Sequence, residues 1–497
     1  MFSIGFDNDK YLKLQSEKIL ERIELFENKL YLEFGGKLFD DHHASRVLPG
    51  YMPDIKVQML KMLADKAEIV IAINASNIDS SKAIGDTGIS YDDDVLRLID
   101  ELRKGCLYVG SVVISQYLGQ PAADKFKDYL EGRGITVYVM HYIPGSHYPG
   151  NIQLILSDEG YGNNDYIKTT RPLVVVTAPG PGSGKMATCL SQLYQEHKRG
   201  IKAGYAKFET FPIWNRPLKN MINLAYEAAT ADINDVNMID PFHLEAYGVS
   251  AVNYNRDIEV FPILNAMFTR IWGESPYRSP TDMGVNMVGY CITDDEICAE
   301  ASKQEIIRRY FNVQLDFAKG VIAKSATTKL ELLISNTGIP VDERPPVIPA
   351  RDKADRTDSP CVALELHDGT IITGKTSPLL GASAATLLNA LKHLAGIDDK
   401  VLLISPAVIT PLQKLKVGYL GNENPRLQMD EVLIALAIST ATNPLADILL
   451  EQLPRLCNTQ AHSSVILSQS DIGTFRQLGV NITCEPVYQN LRLFQRK

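Results

Sequence analysis

Long apolar runs are missing from this 497-residue chain. No segment reaches the roughly 20 residues that span a bilayer, so no membrane partner is expected. The N-terminal stretch MFSIGFDNDKYLKLQSEKIL lacks the charged start and apolar core of a signal peptide, and a cytoplasmic protein is the expectation. Basic excess is missing too. Fifty Lys and Arg against 59 Asp and Glu leave a net charge of −9, which argues against general nucleic-acid binding through a basic surface. Cysteine is scarce and scattered, at Cys106, Cys189, Cys291, Cys298, Cys361, Cys457 and Cys484, with no CxxC pair. That excludes a zinc ribbon and a thioredoxin motif and leaves reduced, mostly buried thiols; no zinc is expected. There is no G-x-S-x-G elbow, no H-x-E with a C-x-x-C partner, and no G-x-G-x-x-G with its acidic partner. Their absence removes the hydrolase-elbow, zinc-deaminase and dinucleotide-fingerprint readings.

What is present is an ordinary globular composition, 45 % hydrophobic and 22 % charged, with length for two to four domains. Strand-like and helix-like segments alternate over the first part. Leu30–Phe34, Glu68–Asn74, Cys106–Ile114, Ile135–Met140, Pro172–Val176 and Ile201–Ala206 read as strands. Pro53–Ala64, Asp92–Lys104 and Ala122–Glu131 read as helices between them. This rhythm predicts an α/β fold with a mainly parallel sheet and crossover helices. Strand signals then fade, and Met221–Ala231, Arg256–Trp272, Thr293–Phe317 and Gly320–Leu333 have helical character. A Pro-rich charged stretch comes next, TGIPVDERPPVIPARDKADRTDS, and α/β alternation resumes, with Leu366–Thr370 as an Asp-Gly hairpin turn. The expected domains are 1–219 (α/β with a phosphate-binding loop), 220–336 (mainly helical), 337–359 (linker) and 360–497 (α/β).

The most informative segment is RPLVVVTAPGPGSGKMATCL, Arg171–Leu190. A β-branched strand, a Gly/Pro loop and a lysine opening a helix form the layout of a phosphate cradle. Loop N–H groups, the helix N-terminus and the lysine would all face an anion. Gly180, Gly182, Ser183, Gly184 and Lys185 form the candidate binding loop. Against the pattern G-x-x-x-x-G-K-[ST], Pro179 replaces the first glycine and Met186 the hydroxyl that would ligate Mg²⁺. Thr188 is the remaining candidate hydroxyl, although a helix turns about 100° per residue, which aims it away from the missing position.

Several strings, among them TAPGPGSGKMATCLSQLY, YAKFETFPIWNRPL, NLAYEAATADINDVNMIDPFHLEAYG, SPTDMGVNM and LHDGTIITGKTSPLLGASAATLLNALK, resemble one bacterial family described as a domain of unknown function of about this length. The resemblance covers essentially the whole chain. It implies a multi-domain α/β protein with a helical portion, and no particular reaction. GPGSGK also resembles the loop of adenylate kinases. Residues 173–210 are similar to dethiobiotin synthetase in the order loop, helix, strand, lysine; here that lysine is Lys207, with Glu209 and Thr210 after it.

Other residues could complete a site. Lys207 and Arg256 are expected to hold a second anionic group and, with Lys185, to carry any catalysis. Asp232 and Asp235, in TADINDVNMIDPFH near Asp240 and His243, are the candidate Mg²⁺ ligands, since Mg²⁺ takes one or two carboxylates plus phosphate oxygens. Ser279 with Asp282, Lys37 with Arg46, and the loop histidines His141 and His147 are further candidates. The small residues Gly381–Ala385 suit close helix–sheet packing. The resulting expectation is a homo-oligomeric protein binding a nucleotide such as ATP, with Mg²⁺, or another phosphorylated small molecule. Phosphoryl transfer or ATP-dependent ligation would be its chemistry; the alternative is a non-catalytic sensing or assembly protein with a degenerate loop, and a third reading is an enzyme on a phosphosugar or other phosphorylated metabolite, with no nucleotide.

Overall fold

Six strands built from near-continuous apolar runs open the chain: β1 (Leu30–Phe34), β2 (Ala67–Asn74), β3 (Val109–Tyr117), β4 (Thr136–His141), β5 (Leu173–Thr177) and β6 (Gly204–Phe208). A computed structural model describes residues 4–27, 29–39, 41–82, 89–146, 150–231 and 235–489. β1 and β5 are buried along their whole length, as strands covered on both faces must be. Further on, β7 (Asn237–Ile239) and β8 (Val252–Tyr254) make a short antiparallel pair, and β9 (Gly284–Val285) joins the edge of the main sheet. The seven-stranded sheet runs β4-β3-β2-β5-β1-β6-β9, and every neighbouring pair is parallel.

The chain forms two compact units, one ending at Ser302 and the other starting at Lys303. The 220–302 stretch, within the region expected to be mainly helical, also contributes β7, β8 and β9, strands of only two or three residues. No period-2 pattern can register over such lengths. Its long helix Asn255–Trp272 carries Pro262 inside and packs Phe268 against Trp272, ring centroids 5.0 Å apart. None of the helices among the described residues is long and apolar enough to cross a membrane.

In the second unit, β10 (Cys361–Glu365) and β11 (Ile371–Lys375) form the hairpin read from Asp-Gly. β12 (Gln460–Ser463) and β13 (Asn481–Cys484) complete a four-stranded mixed sheet ordered β11-β10-β12-β13. The stretch read as a linker is folded. Val347–Thr357 is a helix that packs on β10, β11 and β12. Arg344 just before it is fully buried, its Nε donating to Thr483 Oγ1 at 3.1 Å. Lys353 donates to Thr373 Oγ1 at 2.7 Å. Pro345 and Pro346 precede this helix and Pro349 lies in its first turn, where proline is tolerated because those N–H groups have no intrahelical acceptor. The prolines therefore mark a helix start.

The small-residue stretch after β11 does what its size suggests. The helix Ala382–Ala395 lies so close to β11 that a Cβ on Gly374 would sit 2.3 Å from the Thr386 backbone nitrogen. Gly374→Ala is expected to lower stability by about 2 kcal/mol through overpacking. Gly473→Ala, in the helix Gln469–Gln477 with nothing within 4 Å of the added carbon, is expected to be neutral or slightly stabilising, by up to about 1 kcal/mol. Urea unfolding midpoints of the two variants check this; equal midpoints would contradict the close packing.

Candidate functional site

The strand order creates the site. The connection leaving β2 runs toward β3 and β4, whereas the one leaving β5 runs toward β6. β2 and β5 are hydrogen-bonded neighbours, so their loops diverge and a crevice opens above their carboxyl ends, where ligands bind in open α/β sheets. The loop after β5 occupies this crevice.

Three hydrogen bonds hold the loop. Asn74, at the end of β2, donates from Nδ2 to the Gly182 carbonyl at 3.2 Å. Ser115 of β3 donates to the Ser183 carbonyl at 3.0 Å, and Ser183 Oγ donates to the Gly180 carbonyl at 2.9 Å. With these carbonyls tied back, the N–H groups of Lys185, Met186 and Ala187 remain in the first turn of the helix Lys185–Lys198, with no acceptor inside the helix. Gly184 is the left-handed residue before that helix (φ 88°), and a Cβ there would lie 2.5 Å from Ser115 Oγ. Conformation and space both demand glycine at this position.

A cleft of about 540 Å³ lies over the loop, lined by Gly182, Ser183, Gly184, Lys185, Glu33 and Gln116 among others. Lys185 makes no hydrogen bond or ion pair among the described residues. Burial holds its pKa below the ordinary lysine value, with Glu33 opposing and Lys207 reinforcing the shift. Glu33 is itself buried in β1 and accepts a 2.6 Å hydrogen bond from Tyr205 Oη.

The other sequence candidates are placed elsewhere. Gly180 does not line the cleft; it packs under Tyr91, whose hydroxyl would be 2.3 Å from an added Cβ. Thr188 is buried, and its hydroxyl donates to the Gly184 carbonyl at 2.9 Å, so it faces its own helix. Lys207 is engaged by two carboxylates, Glu209 at 2.9 Å and Asp257 in closer contact. Burial opposes its charge, but Asp257, Glu209 and Glu33 outweigh burial and hold its pKa above the ordinary value. Arg256 donates to Asp235 at 2.8 Å. Neither Lys207 nor Arg256 lines the cleft, and each already has its counter-ion. Asp235 is buried and tied to Arg256, with Oδ1 lacking a partner. Asp232 and His147 lie outside the described residues. No group of three or more His, Cys, Asp or Glu arranged to hold a metal occurs among the described residues.

Ser279 caps the helix Pro280–Met283 by accepting from Asp282 N at 3.1 Å and lies 2.9 Å from His243 Nδ1. Asp240 caps the His243 helix and accepts from Thr281 Oγ1 at 2.7 Å. These are turn and cap bonds. Lys37 and Arg46 do not line the cleft. His141 lines a smaller cavity of about 170 Å³, which shares Gln116, Tyr142 and Ala187 with the cleft.

Sequence reasoning missed Glu33, Asn74 and Gln116. Glu33 had a signal, a carboxylate inside the apolar run LYLEF, since buried acids are rare without partners. Gln116 had none. Its left-handed backbone (φ 55°) and the register break between Ile114 and Tyr117 on β3 come from sheet geometry.

These features define a doubly wound α/β protein with a glycine-rich loop at its topological switch point. The chain belongs to the family described as domain of unknown function DUF1846, whose N-terminal part matches residues 4–338 and whose C-terminal part matches 342–494. Its relatives include a UPF0371 protein of Streptococcus thermophilus, 58 % identical over 99 % of both chains. A UPF0371 protein of Streptococcus pyogenes is 57 % identical over the full length of both.

Two carboxylates crowd Lys207, and burial together with Asp257 raises the pKa of Glu209 to about 7 despite the lysine. A raised carboxyl pKa means the folded state binds a proton that the unfolded state has released. The contribution is fully favourable below the unfolded value near 4.5 and is lost as pH rises to about 7. Glu209→Gln lacks this loss. Its stability relative to the parent should therefore improve between pH 5 and pH 8, by about 1 kcal/mol or more. Urea unfolding at both pH values tests it; a pH-independent difference would show that Glu209 is ionised throughout.

Proposed function

We propose that this protein binds a phosphorylated small molecule with its phosphate on the loop Gly182–Lys185. The observation that carries the reading is Lys185, a half-buried ammonium with no ion pair among the described residues, at the mouth of a helix N-terminus and lining an open cleft. Desolvating a cation without a partner is costly; an anion in the cleft removes that cost and satisfies the first-turn N–H groups as well. A nucleotide and a phosphorylated metabolite both supply such an anion. Glu33 in the same lining brings a carboxylate, hydrogen-bonded by Tyr205, to the cleft, which would suit transfer chemistry there. A sensing protein without turnover is the second reading, and Met186 favours it, because the residue after Lys185 offers no hydroxyl to Mg²⁺. Asp235 is already paired with Arg256, which leaves it a weaker candidate for Mg²⁺.

A thermal-stability screen of phosphorylated compounds finds the ligand, since saturation at 100 times Kd adds about 2.7 kcal/mol. Lys185→Ala should weaken the binding at least tenfold, about 1.4 kcal/mol, and leave the fold intact. Undiminished affinity in that variant would remove the reading. Turnover of the bound compound would favour the enzyme, and tight binding without turnover the sensor.

A further inference from the structure

The cleft at Lys185 shares Gln116, Tyr142 and Ala187 with a second cavity, and one of these residues is unusual in its backbone. Gln116 ends the regular part of β3 in a left-handed conformation, φ 55°, where the β3–β4 register breaks. A non-glycine residue in that region is held by its surroundings at a cost of about 1–3 kcal/mol, and such positions cluster at ligand sites. Irregularities of this kind next to active sites re-aim a side chain. Gln116 lines both the 540 Å³ cleft and the 170 Å³ cavity beyond it. Its carboxamide makes no hydrogen bond among the described residues, and neither do the ring nitrogens of His141 in the second cavity, whose ring stands edge-on to Tyr117 at 5.8 Å.

Charge narrows the occupant. Among the described residues lining the two cavities, Lys185 is the single lysine or arginine and Glu33 the single carboxylate. A triphosphate brings several negative charges that such sites normally meet with additional cations. Here Glu33 would oppose the second and third phosphates. One phosphate matches Lys185 and the helix N-terminus. Beyond it, a carboxamide offers one acceptor and two donors, and an imidazole offers one of each. Adjacent hydroxyl groups, each both donor and acceptor, are complementary to that set. The second cavity, at about 170 Å³ well under the ~300 Å³ of common ligand pockets, takes only a short group.

We propose that the ligand is a monophosphorylated sugar or polyol, its phosphate at Lys185 and its hydroxyls read by Gln116 and His141. This rests on the phosphate reading of the loop and extends it to the rest of the ligand. The test titrates the full-length chain by calorimetry with inorganic phosphate, ribose 5-phosphate, glucose 6-phosphate, AMP and ATP with Mg²⁺. At least one sugar phosphate should bind about tenfold or more tighter than inorganic phosphate, AMP and ATP. Gln116→Gly removes the carboxamide and, because glycine accepts φ 55° freely, relaxes the backbone instead of straining it. It should weaken the sugar phosphate at least fivefold and leave inorganic phosphate within about twofold. His141→Gln should likewise spare inorganic phosphate. Lys185→Ala should weaken both ligands. Tighter binding of AMP or ATP, or an equal effect of Gln116→Gly on phosphate and sugar phosphate, overturns the sugar assignment and leaves the phosphate site standing. Inorganic phosphate binding with no gain from any sugar does the same. Absence of binding by every probe, or indifference to Lys185→Ala, removes the phosphate site and the sugar assignment together.

Discussion

Placing β5 between β1 and β2 is the constraint on which the candidate site depends. A parallel strand inserted there cannot send its chain back the way β2 goes, because right-handed crossovers in opposite directions lay their helices on opposite faces. The loops diverge, and the gap is filled by backbone alone. Asn74 and Ser115 reach the loop only because their strands end beside it. Glu33 reaches Lys185 because β1 is the neighbour of β5 on the other side. Asn74, Ser115 and Glu33 are thus positioned by strands, the most rigid support an α/β sheet offers, and each anchoring bond adds about 1 kcal/mol to the ordering.

The same sheet has a second divergence, between β1 and β6, and there the chemistry is closed off. Glu33 and Lys207 are paired in register across these strands. Tyr205 bonds Glu33, and Glu209 and Asp257 neutralise Lys207. Two lysines of one region therefore have opposite fates. Lys207 is locked in by carboxylates that hold its charge, while Lys185 makes no ion pair among the described residues, and burial outweighs the pull of Glu33 on its charge. An arrangement that neutralises one cation and leaves its neighbour unmet concentrates the demand for an anion at a single point. It also explains why Lys207, attractive by its place at a strand end, is a poor second anion holder: an incoming anion would have to displace two carboxylates.

The parallel sheet was legible from the sequence because its strands are long apolar runs set apart by amphipathic helices, and periodicity reads such patterns well. The hairpin at Asp-Gly was legible from turn chemistry. The Gly-rich loop was legible because only a handful of residue types can make it. Three things were not. β7, β8 and β9 are too short for a period to register. The segment 341–357 has a linker's composition, yet its prolines sit where a helix tolerates them and Arg344 is buried by tertiary contacts with β12 and β13. Gln116 carries no signal in its own sequence, because its role depends on the mismatch between two strands that only the assembled sheet reveals.

Met186 gains its meaning from this geometry. In a loop that binds a metal-complexed polyphosphate, the residue after the lysine supplies a hydroxyl to the cation. Here the next hydroxyl along the helix, on Thr188, is spent on the Gly184 carbonyl, and Glu33 is the carboxylate among the described residues lining the cleft. Among the described residues lining the cleft, a divalent cation placed beside the phosphate would find Glu33 as its one carboxylate and would compete with Lys185 for the same charge. Met186, the engaged Thr188, the single lysine and the opposing Glu33 are independent features of the chain, and all four disfavour a metal polyphosphate. They agree with an anion of low charge held by backbone N–H groups and one ammonium, with the remaining recognition delegated to neutral polar side chains.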